Sequence, residues 1–342
     1  MREYPDSPCK THAFGSEGFL FDKYQWQLND HDCEFQPDFD QKLFCERNQN
    51  AVIFFIGDSL TFEQSATLTN LLGANITAIF KTRSQFKAIP IVQNVCGDKH
   101  VTLLYRWSTF LGDDLGFLLL NETFPTTLIL NTGAHYGPKL LRSIVERHNI
   151  FSSNMDKTLK HVKTWQLHCR EQNLRCPFFW RTTAPGHWEC DNFTEPMNNI
   201  TCMEAHIAAN SKSELTFYRY FGWELFQDFN EMTMTKLQWA GLDNYQIVDG
   251  YDYAIQRPDG HYPNNHNGDC LHNCNPGVAD TYNVMLQHFL RSARTEDEIL
   301  LLRKYSYSWN RETNVKFDGF IDINWTKPFP YQEPNPDKIA YK

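Results

Sequence analysis

The sequence predicts an α/β protein with a mostly parallel central sheet covered by helices on both faces. Short β-branched and aromatic runs recur along the chain, separated by polar or helical stretches. The most apolar of them, residues 51–56 (AVIFFI), has no polar member, as expected of a strand buried on both faces. Helix-start signals fall between the runs, the alternation that yields parallel strands.

Taken in order, residues 1–46 are polar and turn-rich and hold Cys9, Cys33 and Cys45. They read as an N-terminal arm or minor lobe. The strand at 51–56 ends at Gly57, and helical spacing follows over 60–72. Further strands are expected at 100–106, 126–131, 177–183 and 245–248, with an amphipathic helix at 157–169. Ser211 and Glu214 form a capping box, followed by Leu215, Tyr218, Leu225, Phe229 and Met232 at helical offsets until Gly241. Asn275 and Pro276 offer an N-cap with proline at the first helical position, opening a helix through Arg291. A second capping box, Thr295 to Glu298, precedes an apolar run at 299–302, and a proline-spaced tail occupies 328–336. The expected organisation is an arm over 1–46, a catalytic domain over 47–292, and a C-terminal helix with an extended tail over 293–342.

Composition narrows the function. The chain has 342 residues, 41% hydrophobic and 21% charged, which excludes a disordered protein. Its 32 Lys and Arg against 41 Asp and Glu give a net charge of −9, a poor surface for nucleic acid or anionic lipid. The longest apolar run is 51–56, far short of the roughly 20 residues a membrane span needs. No membrane insertion by this chain is expected, any signal or anchor being absent from it, and a monomer is expected.

Ten cysteines are scattered from Cys9 to Cys274. Buried free thiols in a cytosolic enzyme are one reading. Wide, irregular spacing favours disulfides in an oxidising compartment instead. Asn-x-Ser/Thr sequons at Asn75, Asn121, Asn192, Asn199 and Asn324 agree with the secretory pathway, in the Golgi lumen or outside the cell.

The chemistry concentrates in three places. Gly57-Asp58-Ser59 stands between the buried strand and a helix, where backbone N–H groups and the helix dipole favour an oxyanion beside Ser59. A serine nucleophile needs a base and an orienter. Asp269 lies three residues before His272, a spacing that lets the carboxylate fold back on Nδ1 and leaves Nε2 for the serine. Asp259 and His261 form a rival pair in a turn-like segment. A metal reading of Asp269, Cys270, His272 and Cys274 competes with disulfides there, and disulfides are preferred; no metal is expected. Asn131, at the end of the 126–131 strand, offers an amide for the oxyanion, or simply an Asx turn.

Together these stretches resemble the SGNH/GDSL hydrolases, and more closely the trichome-birefringence-like, PC-esterase group of polysaccharide O-acetyltransferases. The matching stretches are YQWQ from Tyr24 with Asp32 and Cys33, IGDSL from Ile56, LNTG from Leu130, WRTTAP from Trp180 with His187, and GDCLHNC from Gly268 running to Tyr282. The resemblance covers residues 20 to 291. It implies a three-layer α/β/α SGNH-like fold with an N-terminal Cys-containing extension. It implies Ser59 as nucleophile, His272 as base, Asp269 as its orienter and Asn131 as oxyanion residue. Arg181 and His187 fall in a family block and are expected to face substrate or to be structural. Cys270 and Cys274 are implied to be disulfide-bonded, each to a distant partner, with Cys33 among the candidates. Two departures stand out: Asn273 follows the histidine where the family has an aromatic, and the segment before Tyr24 holds only Cys9.

The implied activity is acetyl transfer through an acetyl-serine onto a polysaccharide or oligosaccharide hydroxyl. No bound cofactor is needed, and an acetyl donor such as acetyl-coenzyme A serves as co-substrate. The same residues with water as acceptor would make an acetyl esterase. A non-catalytic glycan-binding protein is a third reading, since Trp107, Trp180 and Trp188 could stack sugars.

Overall fold

The computed structural model describes residues 38–74, 91–121, 125–137, 143–211, 222–262, 269–274, 277–290 and 297. A six-stranded sheet forms the centre. Its strands are β1 (Val52–Gly57), β2 (Ile91–Val95), β3 (Val101–Trp107), β4 (Thr127–Leu130), β5 (Phe178–Arg181) and β6 (Tyr245–Val248), in the order β2-β3-β1-β4-β5-β6. All neighbours are parallel except β2 and β3. Every residue of β1 is buried, as its unbroken apolar run requires of a central strand. The antiparallel β2 was not expected from the sequence. Its inward residues alternate with polar or part-exposed ones over only five positions on the sheet edge.

Helices cover both faces. On one lie α1 (Gln41–Arg47), α2 (Ser59–Leu71) and, near the end of the described chain, α8 (Val278–Leu290). The other carries α3 (Asp113–Asn121), α4 (Ile144–Glu171) and α6 (Phe226–Trp239). The sandwich is the three-layer arrangement the SGNH resemblance implies. Phe44 of α1 sits in the main core and Cys45 is bonded to Cys96, so the boundary expected at residue 46 cuts through a packed element. Helix α4 extends well beyond the expected 157–169, because Ser143 caps it and accepts the Glu146 N–H at 3.0 Å.

The helix expected from the Ser211 capping box is a correction. Ser211 is instead the last residue of α5 (Ile200–Ser211), and the next α-helix among the described residues starts at Phe226. Gly222, at φ 64°, stands just ahead of it, and buried Leu225 and Phe226 anchor its start. Residues 212–221 lie outside the described residues, as do Asn275, Pro276 and the Thr295 capping box. The described chain continues with α7 (Tyr251–Ile255) and a short hairpin, β7 (His261–Tyr262) with β8 (Asp269–Asn273), before α8.

Among the described residues no helix is long and apolar enough to cross a membrane. Three disulfides join Cys45 to Cys96, Cys169 to Cys176, and Cys190 to Cys270, and Cys274 is disulfide-bonded as well. Cross-links of this number fit an oxidising compartment and overturn the free-thiol reading. Cys33 lies outside the described residues; Cys202 is free and exposed.

Candidate active site

The site lies at the carboxyl ends of the central strands, where open α/β sheets place their ligands. Strand β1 runs directly into α2. Asp58 caps that helix, accepting the Leu60 N–H at 3.0 Å, which leaves Ser59 at its first position. Gly57 is needed at the bend: a Cβ there would meet Thr61 Oγ1 at 2.2 Å and the Asn131 carbonyl at 2.4 Å. Tyr105 of β3 donates its hydroxyl to the Asp58 and Gly57 carbonyls, holding the turn from beneath.

Hairpin β7–β8 brings the other two groups to Ser59. His272 Nε2 lies 2.7 Å from Ser59 Oγ, and His272 Nδ1 lies 2.6 Å from Asp269 Oδ2. The other carboxylate oxygen, Oδ1, accepts the backbone N–H groups of Leu271 and His272 at 3.2 and 3.1 Å. The carboxylate is therefore pinned by its own loop, with one oxygen aimed at the imidazole. Burial would raise the Asp269 pKa, but the His272 hydrogen bond, the charge of His272 and the two backbone donors hold it down at about 2. Burial would likewise lower the His272 pKa. The Asp269 hydrogen bond, with the charges of Glu63, Asp269 and Asp58, raises it to about 9. Such a site stabilises an imidazolium, the species a serine leaves behind when it loses its proton.

The rival pair is not assembled as an alternative. Asp259 takes both ends of the Arg257 guanidinium, at 2.9 and 3.0 Å. His261 instead supports His272 from behind. Its Nδ1 donates to the His272 carbonyl at 2.9 Å, and its Nε2 faces His187 Nδ1. His187 Nε2 donates to the Ile255 carbonyl at 2.8 Å, and its backbone N–H to the Cys270 carbonyl at 2.8 Å. His187 is fully buried, so of its two expected roles it takes the structural one: it braces the histidine hairpin. The Cys190–Cys270 disulfide ties the same hairpin to the loop that follows β5. With Cys270 and Cys274 both disulfide-bonded, the metal reading of this segment has no thiolates to use.

Asn131 differs from the oxyanion role expected of it, and Arg181 takes the structural one of its two expected roles. Asn131 is fully buried, and its amide donates to the Arg181 carbonyl and to Thr183 Oγ1, both at 2.9 Å. Both amide hydrogens are spent, so Asn131 has none for an oxyanion. Its carbonyl oxygen accepts from Arg181 Nη2 and, at 3.5 Å, from the Thr61 hydroxyl. Arg181 is 1% exposed, reaching the Thr182 carbonyl at 3.1 Å and lying 5.0 Å over the Tyr282 ring. It locks the ends of β4 and β5 to α2. Strand-end polar residues can point up into a site or down into the sheet edge, and sequence spacing does not separate the two.

Of the three tryptophans, Trp180 and Trp188 are core residues. Trp107 alone is half-buried. It stands opposite Gly57 in the parallel register, edge-on to His135 with ring centroids 5.8 Å apart. Asn192 and Asn199 are exposed, so both sequons are accessible. Asn121 is the last residue of α3, and Asn75 and Asn324 lie outside the described residues.

Residues 127–289 match the family model described as PC-Esterase, the GDSL/SGNH-like acyl-esterase family found in Pmr5 and Cas1p. Over these residues the chain is similar to a PC-esterase domain. The match takes in Asn131, Asp269 and His272, and Ser59 reaches the site from the strand and helix upstream of it. Similar proteins agree. The Arabidopsis thaliana protein trichome birefringence-like 14 is 23% identical over 345 residues, covering 83% of this chain and 80% of that protein. Trichome birefringence-like 15 is 24% identical, covering 80% of this chain and 63% of the relative. Trichome birefringence-like 39 is 22% identical, covering 84% and 80%. The family match and these relatives support an enzyme of the acyl-transferring or acyl-ester-cleaving kind.

Proposed function

We propose that this protein is an O-acetyltransferase that carries an acetyl group on Ser59 and delivers it to a polysaccharide hydroxyl. The observation that carries the reading is the unbroken contact from Ser59 Oγ through His272 to Asp269. Neutral His272 takes the Ser59 proton while Ser59 Oγ attacks the carbonyl carbon of an acetyl ester or thioester donor. The N–H of Ser59, first in α2 and without an intrahelical acceptor, and the positive end of the helix stabilise the oxyanion. Imidazolium then protonates the leaving group, and acetyl-serine remains. In the second half, His272 takes a proton from a sugar hydroxyl, whose oxygen attacks the acetyl carbon. The proton returns to Ser59 Oγ as the ester on serine breaks. Trp107 and His135 beside the site suit the apolar face of a sugar ring. The disulfides and the resemblance to trichome-birefringence-like proteins support a Golgi or extracellular location.

A second reading follows from the acyl-esterase description of the matched family: the same residues with water as acceptor. Both are tested by supplying acetyl-coenzyme A or an acetyl ester, with and without hemicellulose or pectin oligosaccharides, and weighing the products. Acetylated oligosaccharide at the expense of free acetate is the expected result. Donor loss to acetate, unchanged by sugar, would replace transferase with esterase.

A further inference from the structure

One buried charge beside Ser59 and His272 is not used by the steps above. Glu63 lies on α2 one turn beyond Ser59, on the same face of the helix. It is 8% exposed, and its Oε2 accepts the backbone N–H of Asn273, the residue after His272, at 3.4 Å. It thus bridges the helix that carries the serine to the strand that carries the histidine. Its charge acts on the imidazole directly, alongside those of Asp269 on β8 and Asp58 at the α2 cap. His261 of β7 also faces the imidazole, from behind, and Arg181 of β5 faces Glu63.

We propose that Glu63 is a positioning residue that holds His272 to the serine helix and, when ionised, sets the pH at which His272 becomes a base. This rests on the reading of Ser59, His272 and Asp269 given above. A carboxylate placed there favours the imidazolium electrostatically, so His272 loses its proton at higher pH than Asp269 alone would require. Burial drives Glu63 itself up to about 7, against the opposing charges of His272 and Arg181 and the Asn273 N–H, and with that of Asp269. Glu63 therefore changes charge in the range where secretory compartments operate. As it gains a proton, its hold on the imidazolium weakens, and His272 becomes easier to deprotonate.

The test compares wild type with Glu63→Gln and Glu63→Asp on two readouts. One is the pH dependence of kcat/KM for 4-nitrophenyl acetate hydrolysis; the other is a ring-nitrogen NMR titration of His272. Only neutral His272 can take the serine proton, so wild-type kcat/KM should rise with pH through about 9. Removing a nearby negative charge disfavours the imidazolium, so in Glu63→Gln the rise should move to lower pH by about one unit. Below the rise, that variant should then be about tenfold faster relative to its own plateau. Glu63→Asp keeps the charge and should keep the wild-type position, even if its plateau falls. An unchanged rise in Glu63→Gln, whatever its plateau, would overturn the proposal. Should the variants fail to fold, the wild-type His272 titration alone decides. A second, smaller inflection from Glu63 near 7 is expected, and its absence refutes the coupling. If Ser59→Ala hydrolyses the ester as fast as wild type, the catalytic reading fails, while the NMR titration still judges Glu63.

Discussion

Ser59→Ala is expected to lower turnover by about 10⁴-fold or more, with the fold unchanged. Ser59 Oγ is the atom His272 Nε2 contacts, at 2.7 Å, and the helix behind it leaves the Ser59 N–H to the reacting oxygen. Without the hydroxyl no acyl intermediate forms, and what remains is the electrostatic stabilisation of direct attack by water or sugar. Stability should barely move. Asp58 still caps α2, and alanine is a good helix former, so the change should fall within about 0.5 kcal/mol. Steady-state kinetics and thermal melting on the same preparation check both halves. Activity within tenfold of wild type would remove Ser59 from the mechanism.

Asp269→Asn is expected to cost nearly as much, about 10⁴-fold in kcat, for a geometrical reason. Asp269 Oδ1 is held by the N–H groups of Leu271 and His272, which an amide oxygen satisfies equally well. The amide nitrogen is then forced toward His272 Nδ1, where Oδ2 now accepts at 2.6 Å. Facing a donor, Nδ1 must be bare, so the neutral ring carries its hydrogen on Nε2, pointing at the serine it should deprotonate. The variant should also lose much of the elevation of the His272 pKa, because the Asp269 hydrogen bond is the largest cause raising it. A crystal structure of the variant with kinetics across pH would check the argument. A folded variant retaining more than about a tenth of wild-type kcat would contradict it.

How much of this was legible in the sequence depends on how local the signal is. The central strand at 51–56 announced itself because burial on both faces leaves an unbroken apolar run. Ser59 and the Asp269–His272 spacing were legible because a strand-to-helix turn and a three-residue carboxylate loop are set by a few adjacent residues. The edge strand Ile91–Val95 was not, because a five-residue edge strand needs only a weak alternation. Ser211 carried a capping-box pattern yet ended a helix, and the helix holding Phe229 and Met232 starts at Phe226, where burial anchors it. Asn131, Arg181 and His187 were picked out, but whether such a polar side chain faces substrate or the protein interior is decided by long-range partners. Arg181 reaches across 120 residues to Thr61, and His187 across 74 to His261. Glu63 was missed for the same reason. Its position four residues after Ser59 was visible, but its contact with Asn273, 210 residues away, was not.

The central claim is that Ser59 carries the acetyl group between donor and sugar. It is tested most directly by mass spectrometry of the peptide containing Ser59 after brief exposure to the acetyl donor, then after addition of oligosaccharide. The account predicts an acetyl adduct on Ser59, absent from Ser59→Ala, which disappears on adding acceptor as acetylated oligosaccharide appears. Acetylated oligosaccharide formed at full rate by Ser59→Ala, or a Ser59 adduct that acceptor does not discharge, would contradict it.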